Sequence, residues 1–209
     1  MSMSSSRPKH ALILCHPDEH SFNAAVAERY ERTIRSLGHE VVVRDLYRMH
    51  FDPVLKASER PTAADFTLSA DVAAELELIQ GAAAFILVYP LWYGMPPAML
   101  KGYVERVLGA GFPFGALRMQ MPNPLLSGRR LLSFTSSGTT RAWLDEQGAA
   151  LSLRNLFDDY LRHGFSLEST DHVHFASIVE GIQPRVVEEH LFEVEQTARK
   201  LASLLPRNG

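Results

Sequence analysis

At 209 residues, with 46% hydrophobic and 22% charged residues, the chain has the composition of a globular domain with a sizeable core, which excludes a disordered chain. A net charge of -3 and scattered lysines and arginines leave no basic run that could track a phosphate backbone, so nucleic acid is not an expected partner. A single cysteine excludes an internal disulfide and suits a reducing compartment, and the longest apolar stretch, Ala82–Pro90, is too short to cross a bilayer.

In chain order, the polar start up to His10 has no apolar signal core, and Ala11–Cys15 is a short apolar run that fits a strand buried on both faces. From Phe22 onward, Val26, Tyr30, Thr33 and Leu37 form one helical stripe, closed by Gly38 as a left-handed cap. Glu40–Arg44 reads as the second strand, and Asp45–Arg60 as irregular chain. Asp71–Gln80 predicts a helix with Val72, Leu76 and Ile79 inward, followed by Ala84–Tyr89 as the strongest apolar strand. Pro90–Pro97 is a loop; Leu100, Tyr103, Val104, Val107 and Leu108 then follow helical spacing. Arg130–Thr135 is the fourth strand, a helical segment covers Leu151–Arg162, the fifth strand is expected near Gly164–Ser169, and Pro184–Leu204 is the last helix. Strands alternating with helices predict a doubly wound α/β sheet, and five strands predict the flavodoxin-like order 2-1-3-4-5 with helices on both faces. The expectation is one cytoplasmic domain over residues 1–209, with 1–9 flexible and no integral membrane segment.

In such sheets ligands bind at the carboxyl ends of the strands, so the chemistry belongs to the loops after strands one, three and four. The first loop, His16 to Asn23, leads into a helix, where backbone N–H groups and the helix dipole suit a phosphate. There Ser21 can cap the helix, Asn23 can donate to an oxygen, and His16 can add a hydrogen bond; an ordinary capped turn is the competing reading. The loop lacks the glycines of a nucleotide-binding fingerprint. The second loop carries Pro90, Leu91, Trp92, Tyr93 and Gly94, a proline-stiffened pair of aromatics suited to stacking on a flat heterocycle or, more plainly, to roofing the core. The third loop, Thr135, Ser136, Ser137 and Gly138, offers hydroxyl and amide donors at the same sheet edge, or merely caps a helix.

The segments H-P-D-E-H-S-F-N (16–23), D-L-Y-R-M-H-F-D-P-V-L (45–55), Y-P-L-W-Y-G-M-P-P-A-M-L-K-G-Y-V-E-R-V (89–107) and G-F-P-F (111–114) resemble the NAD(P)H:quinone oxidoreductases of flavodoxin-like fold. The resemblance implies a bound flavin, FAD with FMN as the alternative. It implies that His16, Ser21, Phe22 and Asn23 contact the flavin phosphates, and that Pro90, Leu91, Trp92 and Tyr93 lie under the isoalloxazine. Thr135, Ser136, Ser137 and Gly138 take the place of the family's T-T-G-G segment. It further implies a homodimer, NADH or NADPH as electron donor, a quinone-like small molecule as acceptor, and a ping-pong cycle. Two departures stand out: Trp143 and Ala149 fall where the family's animal members carry a tyrosine and a histidine that manage a proton, so that relay is absent or built from other residues. Ser136-Ser137 in place of Thr-Gly adds a β-carbon beside the ring.

Tyr93 is the candidate for polarising an acceptor carbonyl, with an aromatic pocket wall as its plainer role. Cys15 reads as core filler, and Lys101 and Arg106 as surface ion-pair partners. Glu188, Glu189, Glu193 and Glu195 read as a solvated helix face. His172 and His174 alternate and form at most half a metal site, so no metal is expected. Two other functions compete with the enzyme: a flavin-binding ancillary subunit of a potassium-efflux transporter, and an electron carrier, which the modest net charge disfavours.

Overall fold

Apolar side chains repeating every second residue build the centre of this protein. In a computed structural model, which describes residues 7–205, Ala11, Ile13 and Cys15 point to one face of a sheet while Leu12 and Leu14 point to the other. The central strand does the same, with Phe85, Leu87 and Tyr89 on the first face and Ala84, Ile86 and Val88 on the second. Each fully buried aliphatic or phenylalanine side chain contributes about 1.5–3 kcal/mol, so both faces need cover.

The strands are β1 (Lys9–Leu14), β2 (Glu40–Asp45), β3 (Ala84–Pro90), β4 (Arg130–Ser136) and β5 (Ser169–Phe175). All neighbours pair in parallel, in the order β2-β1-β3-β4-β5. Helices α1 (Phe22–Ser36) and α8 (Pro184–Leu204) supply Val26, Tyr30, Val194 and Ala198 to the core on one face. On the other face lie α2 (Ala70–Ile79) and α3 (Ala98–Tyr103), which continues through a π-helical turn, Val104–Leu108. A second helical stretch joins them there: α6 (Ala149–Leu153), a π-helical turn at Arg154–Asp158 and α7 (Asp159–Phe165). Two short helices, α4 (Phe114–Arg118) and α5 (Arg141–Glu146), have no counterpart in the periodicity, because neither is long enough to show a stripe.

Three expectations need correction. The fifth strand runs from Ser169 to Phe175, not from Gly164, because Gly164 and Phe165 finish α7 and Ser166 turns the chain in the left-handed region at φ 57°. Its true span is hard to read from the sequence because His172 and His174, which share one face, break any apolar run. Arg106 is not at the surface: it is 2% exposed and forked onto Glu59 (2.7 and 2.9 Å) and Asp71 (2.8 and 3.0 Å). The first strand begins at Lys9, within the stretch expected to be flexible; residues 1–6 lie outside the described residues.

Other expectations hold. Cys15 is fully buried, and burial pushes its thiol up to about 12, so it packs rather than reacts. Lys101 pairs with Glu105 at the surface. On α8, Glu188 pairs with Arg29, Glu189 with Arg185 and Glu195 with Arg199. Among the described residues no helix is long and apolar enough to cross a membrane.

Candidate functional site

The loops leaving β1, β3 and β4 meet at the carboxyl edge of the sheet, and direct contacts lock them together. Asn23 Nδ2 donates to Ser136 Oγ at 2.9 Å, joining the first loop to the third. The Leu91 amide donates to the Ser136 carbonyl at 2.7 Å, joining the second to the third. The rings of His16 and Trp92 lie 5.9 Å apart between centroids, joining the first to the second. One edge therefore collects residues far apart in sequence, as strand order alone requires.

In the first loop Ser21 is the N-cap of α1, its hydroxyl accepting from the Ala24 amide at 3.2 Å. The amides of Phe22 and Asn23, the first two of the helix, have no carbonyl one turn behind them and are open to an anion. No acidic residue occupies that first turn. The loop's own carboxylates are engaged elsewhere: Asp18 accepts from the His20 amide at 2.8 Å, and Glu19 pairs with Arg48. His16 Nδ1 lies 3.1 Å from the Asp18 amide nitrogen and 3.2 Å from the Asp18 carbonyl oxygen, which holds the ring over the loop. The Phe22 side chain leaves this group and packs edge-on against Phe175, at 5.3 Å, so only its backbone can serve a ligand there.

The second loop is a tight turn. Trp92 and Met95 exchange two backbone hydrogen bonds of 3.1 Å, with Tyr93 at φ 52° and Gly94 at φ 78° at its tip. Glycine adopts that region freely, whereas the tyrosine is strained by roughly 1–2 kcal/mol. The turn uses up the amides of Leu91, Trp92 and Met95, leaving those of Tyr93 and Gly94 for a ligand. Tyr93 is fully exposed and Trp92 is 40% exposed, so neither aromatic roofs the core. Pro90 is buried as the last residue of β3 and aims the loop.

In the third loop the hydroxyls divide. Ser136 turns to Asn23, on the α1 face, while Thr135 turns to the opposite face and meets both strand histidines. Ser137 and Thr139 line a cavity of about 350 Å³ that Leu91, Tyr93 and Gly94 wall from the second loop. A β-carbon at Gly138 would find its nearest neighbours, Val179 and Ile178, at ordinary contact distances.

Several cavity residues were not read as functional from the sequence: Arg141, Trp143, Leu144, Leu153, Arg154, and His172 and His174 beyond their metal reading. The alternation of His172 and His174 was the one signal available, since residues two apart on a strand share a face. His172 Nδ1 lies 2.5 Å from Asp158 and its Nε2 lies 2.7 Å from Thr135 Oγ1. Burial, the neighbouring His172 and then Arg141 lower the pKa of His174 to about 4, so its ring is neutral at pH 7. No group of three or more metal-ligating side chains occurs among the described residues.

The open amides of α1, the exposed aromatics and the cavity have the chemistry that a flat, phosphate-bearing heterocycle such as a flavin needs. The cavity is of a size that takes a small organic molecule, mostly apolar with a few placed polar groups. Comparison with known proteins points the same way. The family model described as a flavodoxin-like fold matches residues 8–203. A Haemophilus influenzae protein named as an uncharacterized NAD(P)H oxidoreductase is 32% identical over 170 residues, 81% of this chain and 84% of that protein. NAD(P)H dehydrogenase (quinone) 1 of Rattus norvegicus is 35% identical over 146 residues, 61% of this chain; the match spans 53% of the rat enzyme's length. Among solved structures, the NAD(P)H:quinone oxidoreductase from Methanothermobacter marburgensis superimposes with a TM-score of 0.77 at 26% identity, covering 94% of this chain and 96% of that one.

Proposed function

Because the chain belongs to the flavodoxin-like family of NAD(P)H oxidoreductases, we propose that it is a flavin-dependent reductase passing hydride from NADH or NADPH to a quinone-like acceptor. The observation that carries this reading is the meeting of the three loops at one sheet edge, with a cavity walled by the second and third and an open helix N-terminus in the first. The flavin, FAD in our reading with FMN as the alternative, supplies a two-electron store between the half-reactions. His16, Ser21, the Phe22 and Asn23 amides and the Asn23 side chain hold its phosphate end. Pro90, Leu91, Trp92, Tyr93 and Gly94 support its ring, and Thr135, Ser136, Ser137 and Gly138 form the strand edge at its other end.

In this reading the nicotinamide and the acceptor take the same cavity in turn, as a ping-pong cycle requires. Tyr93 offers its hydroxyl at the cavity rim to an acceptor oxygen, where no protein group competes for it among the described residues. Arg141 and Arg154, with no carboxylate on the lining, favour acceptors that carry or develop negative charge. We further assign a cytoplasmic homodimer, in which the exposed Leu151, Leu156 and Tyr160 lie on the helical stretch that supplies Leu153 and Arg154 to the cavity. The 209 residues then act as one domain. Nothing in the fold favours the transporter-subunit reading.

An absorbance spectrum of the purified protein, with chromatography of the heat-released cofactor, tests the proposal. Flavin bands near one per chain support it and identify FAD or FMN. A colourless protein that takes up neither added flavin would sink it.

A further inference from the structure

Along the cavity wall, where Ser137, His172 and His174 all line the cavity, runs an unbroken chain of hydrogen bonds whose carboxylate and two histidines the reductase reading does not use. It starts at Asp158, 2% exposed, whose Oδ2 lies 2.5 Å from His172 Nδ1 and whose Oδ1 accepts from Ser133 at 3.2 Å. His172 Nε2 lies 2.7 Å from the fully buried Thr135 Oγ1, which lies 2.8 Å from His174 Nδ1. His174 Nε2 lies 3.1 Å from Ser137 Oγ, which can also donate to the Thr139 carbonyl at 3.3 Å, and Ser137 lines the cavity. Strand register makes this possible: Ser133 pairs with His172 and Thr135 with His174, so these side chains share one face of the sheet.

The chain has two fully satisfied arrangements that differ by one proton. In the richer one, the His172 imidazolium donates from Nδ1 to Asp158 and from Nε2 to Thr135. Thr135 then donates to His174 Nδ1, His174 Nε2–H to Ser137, and Ser137 to the Thr139 carbonyl. In the poorer one, Ser137 donates to His174 Nε2, His174 Nδ1–H to Thr135, and Thr135 to His172 Nε2, while His172 Nδ1–H still donates to Asp158. Each link keeps a donor and an acceptor in both, which is the requirement for passing a proton without leaving a buried group unpaired. The neutral state of His174 at pH 7 suits a relay member rather than the store.

We infer that Asp158, His172, Thr135, His174 and Ser137 form a proton relay that stores one proton on the His172–Asp158 pair and exchanges it with the cavity through Ser137. The inference rests on the proposed reduction of a quinone-like acceptor. Such an acceptor gains one hydrogen as hydride and needs one further proton on oxygen. The Ser137 O–H bond breaks as the acceptor O–H bond forms. Ser137 is recharged from His174 Nε2, His174 Nδ1 from Thr135, and Thr135 from His172 Nε2, leaving neutral His172 beside ionised Asp158. A proton from solvent at the cavity mouth reverses the sequence and refills the store. The charged or titratable groups facing the relay are Arg141, Asp145 and Arg154 on the cavity side and the buried Tyr89 phenol on the core side. Ser137 touches the acceptor; His172 and Asp158 act through it.

Imidazole nitrogen NMR on the purified holoprotein tests the relay directly. As pH falls and His172 takes up its proton, His174 moves its own proton from Nδ1 to Nε2. In Thr135→Val the switch of His174 is lost, and in Thr135→Ser it is retained. A single His174 tautomer throughout the wild-type titration, or a switch that survives in Thr135→Val, overturns the relay. Turnover supplies a second readout with His172→Gln, which cannot store a proton. With a quinone its rate falls about a hundredfold, the lower end for a lost proton-transfer group, relative to its rate with ferricyanide, which accepts electrons without protons. An equal fall with both acceptors overturns the relay and leaves the reductase standing. A wild-type holoprotein that reduces neither acceptor overturns the reductase reading, while the tautomer switch is judged by itself.

Discussion

Tyr93 stands in a conformation that costs energy, fully exposed, at the tip of a turn whose backbone is otherwise closed on itself. Strain of that kind persists where the surrounding structure fixes it, and here it holds a phenol over the cavity. If the hydroxyl bonds to the acceptor, Tyr93→Phe removes one hydrogen bond of about 1–1.5 kcal/mol, close to a tenfold loss of kcat/KM. Flavin content stays unchanged in that variant, since the ring remains. Unaltered kinetics would reduce Tyr93 to an aromatic wall. Residues of this loop were legible in the sequence because proline, glycine and paired aromatics carry their meaning locally. Asp158 was not, because its role exists only through a histidine fourteen positions later on another element.

At the scale of elements, the irregular chain after β2 is held against the helix after β3. Gly102 makes this possible: a β-carbon there would fall 2.3 Å from the Pro53 carbonyl oxygen, so no larger residue fits without displacing the segment. One turn on, Arg106 ties Glu59 and Asp71 to the same helix and sits 5.3 Å from the Phe51 ring. Hydrogen bonds from Arg106 hold the Glu59 carboxyl down from its ordinary 4.5 to about 2. A depressed carboxyl contributes stability above its unfolded pKa and loses it as pH falls through the folded one. The melting temperature therefore falls from pH 4.5 to 2 more steeply in the wild type than in Glu59→Gln. That variant is also less stable at pH 7, by about 3 kcal/mol, because Arg106 keeps a half-matched buried fork. Parallel slopes in the two proteins would show that the pair does not govern acid lability. The sequence contained Arg106 at a helical spacing that reads equally as surface or core, and only the packing of three segments decides between them.

For the whole molecule, the α/β alternation was legible because β1, β3 and β4 are buried runs with period-2 packing, and the order β2-β1-β3-β4-β5 is compatible with right-handed crossovers. That order dictates which loops share an edge, so the grouping of the three candidate loops is legible from topology alone. The fifth strand was expected a few residues too early, because His172 and His174 interrupt the apolar patterning along its true span. The central claim is that this edge moves electrons from NAD(P)H to an acceptor in two separate steps. The most direct measurement is anaerobic stopped-flow absorbance of the flavin-loaded protein, mixed first with NADH or NADPH and then, after removal of the nucleotide, with a quinone. The account predicts that the visible flavin band bleaches with the nucleotide alone and returns with the quinone alone. A band that neither nucleotide bleaches, or that the quinone cannot restore, would contradict it.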